Sequence, residues 1–319
     1  MKKSFLWLTS LLLFSSFTLL FTACDDDDDM PEPVSQTIVD FASADPNFSI
    51  LVDAVVKAEL DGVLSGDGPF TVFAPTNDAF QAFLDAAGTN TIANTPKDVL
   101  VAVLTNHVLS GKALSSGLST GYYSTLSATG FGDATTSLFI EVNNGVKING
   151  TSTVISADNE VDNGVIHAVD EVIGLPTVVT LAVANPNFSS LVAALTRPDL
   201  TIDFVSVLSG AGPFTVFAPT NDAFQALLDS NPSWNSLNDV PVDLLQAVLL
   251  YHVTDAGNVR AADLTNGQQV TTLSNGETFT INLDGPTIVA GSNSAKIIAT
   301  DVQAANGVIH AIDTVILPE

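Results

Sequence analysis

The stretch Gly68-Pro-Phe-Thr-Val-Phe-Ala-Pro-Thr-Asn-Asp-Ala-Phe-Gln81 returns without a single change as Gly212 to Gln225. Within it, Phe70 to Phe73 reads as a short buried strand, and Pro75-Thr76-Asn77-Asp78 stops that strand and starts a helix. Thr76 suits the N-cap, Asp78 suits the positive end of the helix, and Phe80, Phe83 and Leu84 make its apolar stripe. Thr220 and Asp222 take the same places in the copy. A strand-to-helix turn needs these residue types for its own geometry, so they read as scaffold and not as a polar functional loop.

Outward from this stretch the repetition continues. Asn163-Gly-Val-Ile-His-Ala-Val-Asp170 recurs as Asn306 to Asp313, with Ile312 in place of Val169. Pro46 to Ser49 recurs as Pro186 to Ser189, and Asp98…His107 matches Asp243…His252. Landmarks in one order at nearly constant spacing mean two diverged copies of one domain. Thr37-Ile38-Val39 pairs with Thr177-Val178-Val179, which sets the domains at residues 34–175 and 176–319. The junction Gly174-Leu175-Pro176 is short and leaves the domains little freedom.

Inside each copy, Phe48, Leu51, Val52, Val55 and Val56 follow helical spacing. Asp98 opens another helix, with Leu100, Val103, Leu104 and His107 on one face. Leu138 to Val142 alternates as a strand and meets the hairpin signal Asn143-Asn144-Gly145. Gly164 to Ile173 is apolar on both faces, as a central strand would be. Helices gather in the first half of each copy and strands in the second, so the fold class is α+β.

Two of the repeated motifs carry a resemblance. Thr71 to Phe80 resembles the first signature of fasciclin domains, and Gly164 to Asp170 resembles the second. Tyr251-His252 is similar to the short Tyr-His motif between them, where the first copy has Asn106-His107. The resemblance implies two tandem domains, each a β-sandwich-like core with packed helices. It also implies adhesion, or binding to matrix, partner cells or polysaccharide, with no cofactor and no general catalytic residues.

Composition narrows the partners. Among 319 residues, 35 are acidic and 9 basic, a net charge of −26. A field of that sign repels phosphate backbones, so nucleic acid is not an expected partner. The single cysteine, Cys24, allows neither an intrachain disulfide nor a Cys-based metal site. It ends an uncharged, largely apolar run, Ser4 to Phe21, that follows Met1-Lys2-Lys3, with Thr22-Ala23 between. That grammar gives a signal peptide over 1–23. Its lone Cys resembles the lipidated residue of a bacterial lipoprotein, and the competing reading is an uncleaved membrane helix. Asp25 to Asp29 resembles the acidic stretch of Bacteroidetes-type surface lipoproteins, and residues 24–33 read as a flexible linker. The expected location is the outer membrane, surface-exposed, with the periplasmic face as the alternative.

Candidate sites are few. All four histidines, His107, His167, His252 and His310, are repeat-equivalent, which invites a metal or acid–base site in each domain. Their apolar surroundings favour core histidines bonded to neighbours, and two histidines fall short of a zinc ligand set. Asp158, Glu160 and Asp162 are spaced like the start of a calcium loop, but the copy has Asp301, Gln303 and Ala305 there, so no metal is expected. No residue is expected to act as a catalytic nucleophile. Tyr122, Tyr123 and Trp234 are the candidate aromatics for a glycan platform, the alternative being a glycan-capture accessory protein. Binding differences between the domains are expected in unmatched loops such as Gly117 to Asp133.

Overall fold

Each copy begins with a capped helix. Thr37 Oγ1 accepts from Asp40 N, and the Asp40 carboxylate accepts in return from Thr37 N at 2.9 Å, starting the helix Ile38–Ala44. Thr177 and Thr180 repeat the box ahead of Val178–Ala184. A computed structural model describes residues 36–319; the segments expected to be signal peptide and acidic linker, with Cys24, lie outside the described residues.

The first domain has seven strands: β1 (Phe70–Pro75), β2 (Val108–Ser110), β3 (Gly121–Ala128), β4 (Thr135–Val142), β5 (Val146–Ile148), β6 (Ser152–Val161) and β7 (Gly164–Val169). The second repeats them as β8 (Phe214–Pro219), β9 (Val253–Thr254), β10 (Gln269–Thr271), β11 (Thr278–Asn282), β12 (Thr287–Val289), β13 (Ser294–Ala304) and β14 (Gly307–Ile312). Successive strands pair antiparallel, and β1 then pairs with β7 in parallel, Phe70 opposite Gly164, which closes the first sheet into a barrel. The second sheet keeps the order β10-β11-β12-β13-β14-β8-β9, with no ladder between β9 and β10. There Leu273 N donates to Val253 O at 2.9 Å instead.

Strands β1 and β7 are buried on both faces because each domain has two apolar cores that share them. Val72, Ala74, Ile166 and Ala168 pack against the helices, with Leu51, Phe80, Leu100 and Leu104. Phe73 and Val169 point the other way, into the barrel with Leu138, Ile140 and Ile148. The last strand is central, though it ends at Val169 and not at Ile173.

Where β1 and β7 start, their backbones come too close for side chains. A Cβ on Gly164 would overlap the carbonyl oxygen of Phe70, and one on Gly68 would overlap that of Asn163. Gly212 and Gly307 repeat the arrangement. Asn163, at the turn before β7, clamps three segments: its Nδ2 donates to Leu64 O and Gly66 O, each at 2.8 Å, and its Oδ1 accepts from Ile38 N at 2.9 Å. Asn306 does the same with Leu208, Gly210 and Val178. At about 1 kcal/mol per bond, plus the cost of orphaned buried groups, Asn163→Ala is expected to lose about 3 kcal/mol in urea unfolding.

The two domains meet through a stretch whose sequence diverges between the copies. The Tyr122 hydroxyl donates to Leu181 O at 2.9 Å and accepts from Asn185 Nδ2 at 3.2 Å. Its ring stands edge-on to Phe139 and packs against the second domain's core. Beside it, Gln303 N donates to Ser137 Oγ at 3.1 Å in a buried contact. At the rim, Arg260 pairs with Asp133 at 2.6 Å, an exposed pair that adds little. The part of Gly117 to Asp133 that carries Tyr122 and Asp133 is therefore an internal interface, which corrects its reading as a free binding loop. Tyr122→Ala is expected to uncouple the halves, turning one calorimetric transition into two.

Candidate functional site

The four histidines are held separately. His107 Nδ1 lies 2.7 Å from Val103 O, and its Nε2 lies 2.8 Å from Ile173 N. A carbonyl can only accept and an amide N–H can only donate, so the ring is the neutral Nδ1–H tautomer. His252 repeats this between Val248 O at 2.7 Å and Ile316 N at 3.1 Å. Burial pushes both imidazoles down to about 4, against a smaller opposing effect of the carbonyl contact. Each ring thus staples the end of a helix to the chain that follows the last strand of its domain.

His167 and His310 lie inside the barrels. His167 Nε2 donates to Ala113 O at 2.9 Å and Nδ1 accepts from Asp158 N at 3.2 Å, while the ring stacks on Phe73. His310 Nε2 donates to Val259 O at 2.8 Å, its ring stacks on Phe217, and burial lowers its pKa. In His107, His167 and His252 both ring nitrogens are occupied by backbone partners, which leaves none of these three a free nitrogen to offer a metal.

The acidic triplet does not converge. Asp158 accepts from Ser115 N at 2.7 Å and Ser115 Oγ at 2.5 Å, Glu160 pairs with Lys112 at 2.6 Å, and Asp162 accepts from Gln36 N at 2.7 Å. Asp301 keeps the first role, accepting from Ala261 N at 2.7 Å. The repeated Asp therefore ties the loop before β3 or β10 to the long strand β6 or β13.

Thr76 Oγ1 accepts from Ala79 N at 3.3 Å and Thr220 Oγ1 from Ala223 N at 3.4 Å; Asp78 and Asp222 lie in the first turns of the helices so capped. Asn77, between them, has a role that spacing alone did not reveal. Its Oδ1 accepts from Ile50 N at 2.9 Å and its Nδ2 donates to Pro46 O at 2.8 Å, joining two helix starts. Asn106 stands where the copy has Tyr251. The Tyr251 hydroxyl donates to Thr278 O at 2.9 Å, whereas Asn106 Oδ1 accepts from Thr136 Oγ1 at 2.6 Å and Thr136 contacts Thr125 Oγ1, also at 2.6 Å. A small polar chain thus spans the gap that a phenol spans in the second domain.

Gly117-Leu-Ser-Thr-Gly121 carries the Gly-x-Ser-x-Gly letters, although no nucleophile elbow is expected from the sequence. Ser119 precedes strand β3 and its hydroxyl lies 3.2 Å from Tyr123 Oη, so it is not the strand-to-helix elbow that exposes a nucleophile.

The three candidate aromatics are not brought together. Tyr122 is half-buried between the domains, with its hydroxyl engaged by Leu181 and Asn185, which removes it from an exposed platform. Tyr123 packs against the barrel core and its hydroxyl donates to Ser119 O at 3.0 Å. Trp234 is half-buried and lines a cleft of about 340 Å³ in the second domain with Leu227, Pro232, Leu244 and Pro318.

With these features in place the class is defined. The fasciclin-domain family model matches residues 46–176 and 186–318, and the chain belongs to the fasciclin-domain family. Protein sll1483 of Synechocystis sp. is 44% identical over 140 residues, 44% of this chain and 73% of that protein. Transforming growth factor-beta-induced protein ig-h3 of Sus scrofa is 28% identical over 268 residues, which is 80% of this chain and 36% of that protein. Among solved structures, a FAS1 domain pair from the insect cell adhesion molecule Fasciclin I matches with a TM-score of 0.51 at 20% identity, over 83% of this chain and 95% of that one. At that identity the likeness is one of fold. A fasciclin domain pair of this fold thus occurs in an insect cell adhesion molecule.

Proposed function

We propose that the protein is a surface lipoprotein that binds matrix, partner cells or polysaccharide through its joined domain pair, and that it is not an enzyme. Cys24 carries the lipid, and residues 24–33 form the tether. The observation that carries this reading is how the repeated polar residues are used. His107, His167, His252, the caps and the asparagine clamps are spent on holding the scaffold, which leaves recognition to the outer faces. Two such faces on one chain bind by avidity, since the second contact is made at high local concentration. Protease added to intact cells tests the location: the pair should be digested while periplasmic markers survive, and full protection would refute surface display. Beads coated with the chain should in turn adhere to a matrix or cell surface; failure on every surface would refute adhesion.

A second reading has one observation in its favour. The Trp234 cleft offers an indole and apolar walls of the kind that stack on sugar rings. On a glycan array, selective binding lost in Trp234→Ala would establish glycan capture.

A further inference from the structure

The duplication makes one face of the first domain legible from the second. Counting from Thr37 and Thr177, Phe41, Ala44 and Asp45 correspond to Leu181, Ala184 and Asn185. Counting from Asn163 and Asn306, Asn159 and Glu160 correspond to Val302 and Gln303. In the second domain all five of these positions are buried, Asn185 at 8% exposure and Gln303 at 4%, on the side where the first domain docks. In the first domain Phe41, Asp45 and Asn159 are half-buried, and Ala44 and Glu160 are exposed. Phe41, Asp45 and Asn159 there line a cleft of about 400 Å³, together with Phe48 and Ile155. Ile155 is 58% exposed.

We propose that this cleft is the seat for a tyrosine presented on the sheet of another fasciclin-type domain, carried by a different chain. The occupant follows from what fills the equivalent seat. In the second domain, Tyr122 satisfies Leu181 O, one of the carbonyls that a seven-residue helix leaves without a partner at its C-terminal end. Phe41 is the same position of the seven-residue helix Ile38–Ala44. Asn185 Oδ1 caps Asn187 N at 3.0 Å and turns its Nδ2 to the tyrosine oxygen; Asp45 Oδ1 caps Asn47 N at 2.9 Å in the same way. The second atom of Asp45 is a carboxylate oxygen, an acceptor where Asn185 has a donor. It takes the tyrosine's one hydroxyl proton in a charge-assisted bond, in place of the helix carbonyl that takes it from Tyr122.

A second copy of this chain is the wrong occupant. Its Tyr122 is already seated internally. The outward pair that corresponds to Tyr122 and Phe139 on its second domain is Gln269 and Thr280, too polar to fill an apolar cleft.

This inference rests on the reading of the chain as a binding protein, and its test needs neither a cell nor a surface. The full chain with labelled Ala and Ile methyls is titrated with N-acetyl-tyrosinamide and, separately, N-acetyl-phenylalaninamide. The tyrosine probe is expected to shift the Ala44 and Ile155 methyls saturably in the millimolar range, and the phenylalanine probe to bind about five-fold more weakly. Asp45→Asn keeps the cap and rebuilds the seat that Tyr122 fills beside Asn185, so it should keep the tyrosine preference, whereas Asp45→Ala should lose it. No saturable shift, equal binding of the two probes, or a preference that Asp45→Asn loses or Asp45→Ala keeps would each overturn the proposal. If tyrosine binding stands while coated beads fail to adhere, the adhesion reading falls and this one survives; the converse removes this one alone.

Discussion

Gly164→Ala should destabilise the first domain by about 4 kcal/mol or more and lower its melting temperature by on the order of 10 °C. One methyl group is added, and alanine restricts the unfolded chain, which alone would favour folding by up to about 1 kcal/mol. Geometry reverses the sign. The added carbon would collide with the Phe70 carbonyl oxygen and crowd the Phe70 backbone nitrogen and carbonyl carbon, and backbone cannot move aside as a side-chain tip can. Relief requires β1 and β7 to separate at Phe70–Gly164, the first rung of the pair that closes the barrel. Gly88→Ala is a useful contrast. That glycine has φ +70° and nothing near its absent Cβ, so its cost is confined to local backbone strain. Melting curves of the two variants separate collision from conformation; a Gly164→Ala protein as stable as the parent would show that the strands tolerate the spacing.

Acidification should be the second large effect. His107 and His252 have ordinary values near 6.5 when unfolded and about 4 when folded. Above pH 6.5 neither state binds the extra proton and the full stability is present. Below it the unfolded chain takes up a proton that the native ring refuses until about pH 4, so stability falls as pH drops through that window. The drop from 6.5 to about 4, at about 1.36 kcal/mol per pH unit, amounts to about 3 kcal/mol per ring. Acid also relieves the repulsion within a chain of net charge −26, which acts in the opposite direction. Comparison with the double variant His107→Gln/His252→Gln removes that contribution, because both proteins share it. Urea unfolding at pH 7 and pH 4.5 should show the parent losing more than the variant; equal losses would refute the assignment.

How far the sequence led depended on how far apart the interacting residues lie. Thr76 and its helix were legible because a cap reaches only three residues along the chain. The buried strands were legible because apolar runs and an identical repeat mark them. Asn163 recurred plainly in the sequence, yet its role was not legible, since its partners Ile38, Leu64 and Gly66 lie about 100 residues or more away. Barrel closure likewise depends on the register of β1 against β7, which no local period states. Tyr122 was recognisable as an aromatic with a polar tip, but its seat on Leu181 and Asn185 belongs to the other copy. The histidines were placed correctly on buried faces, while the assignment of each ring nitrogen needed Val103, Ile173 and Ala113 in position.

The identity of β1 and β8 has a consequence for how the chain finds its shape. Phe70–Pro75 and Phe214–Pro219 are the same six residues, and Gly164–Val169 differs from Gly307–Ile312 only at the last position. Nothing in the side chains of these strands distinguishes the correct partner from the wrong one. Loop length favours the wrong one: 44 residues separate Val169 from Phe214, against 88 between Pro75 and Gly164. Halving a loop lowers the entropic cost of closing it by about 0.6 kcal/mol. Denatured chains that refold all at once therefore meet a competing pairing that the geometry does not penalise. Synthesis from the N-terminus avoids it, because β7 can be sealed against β1 before β8 exists. Order of emergence, as much as sequence, keeps the two halves apart.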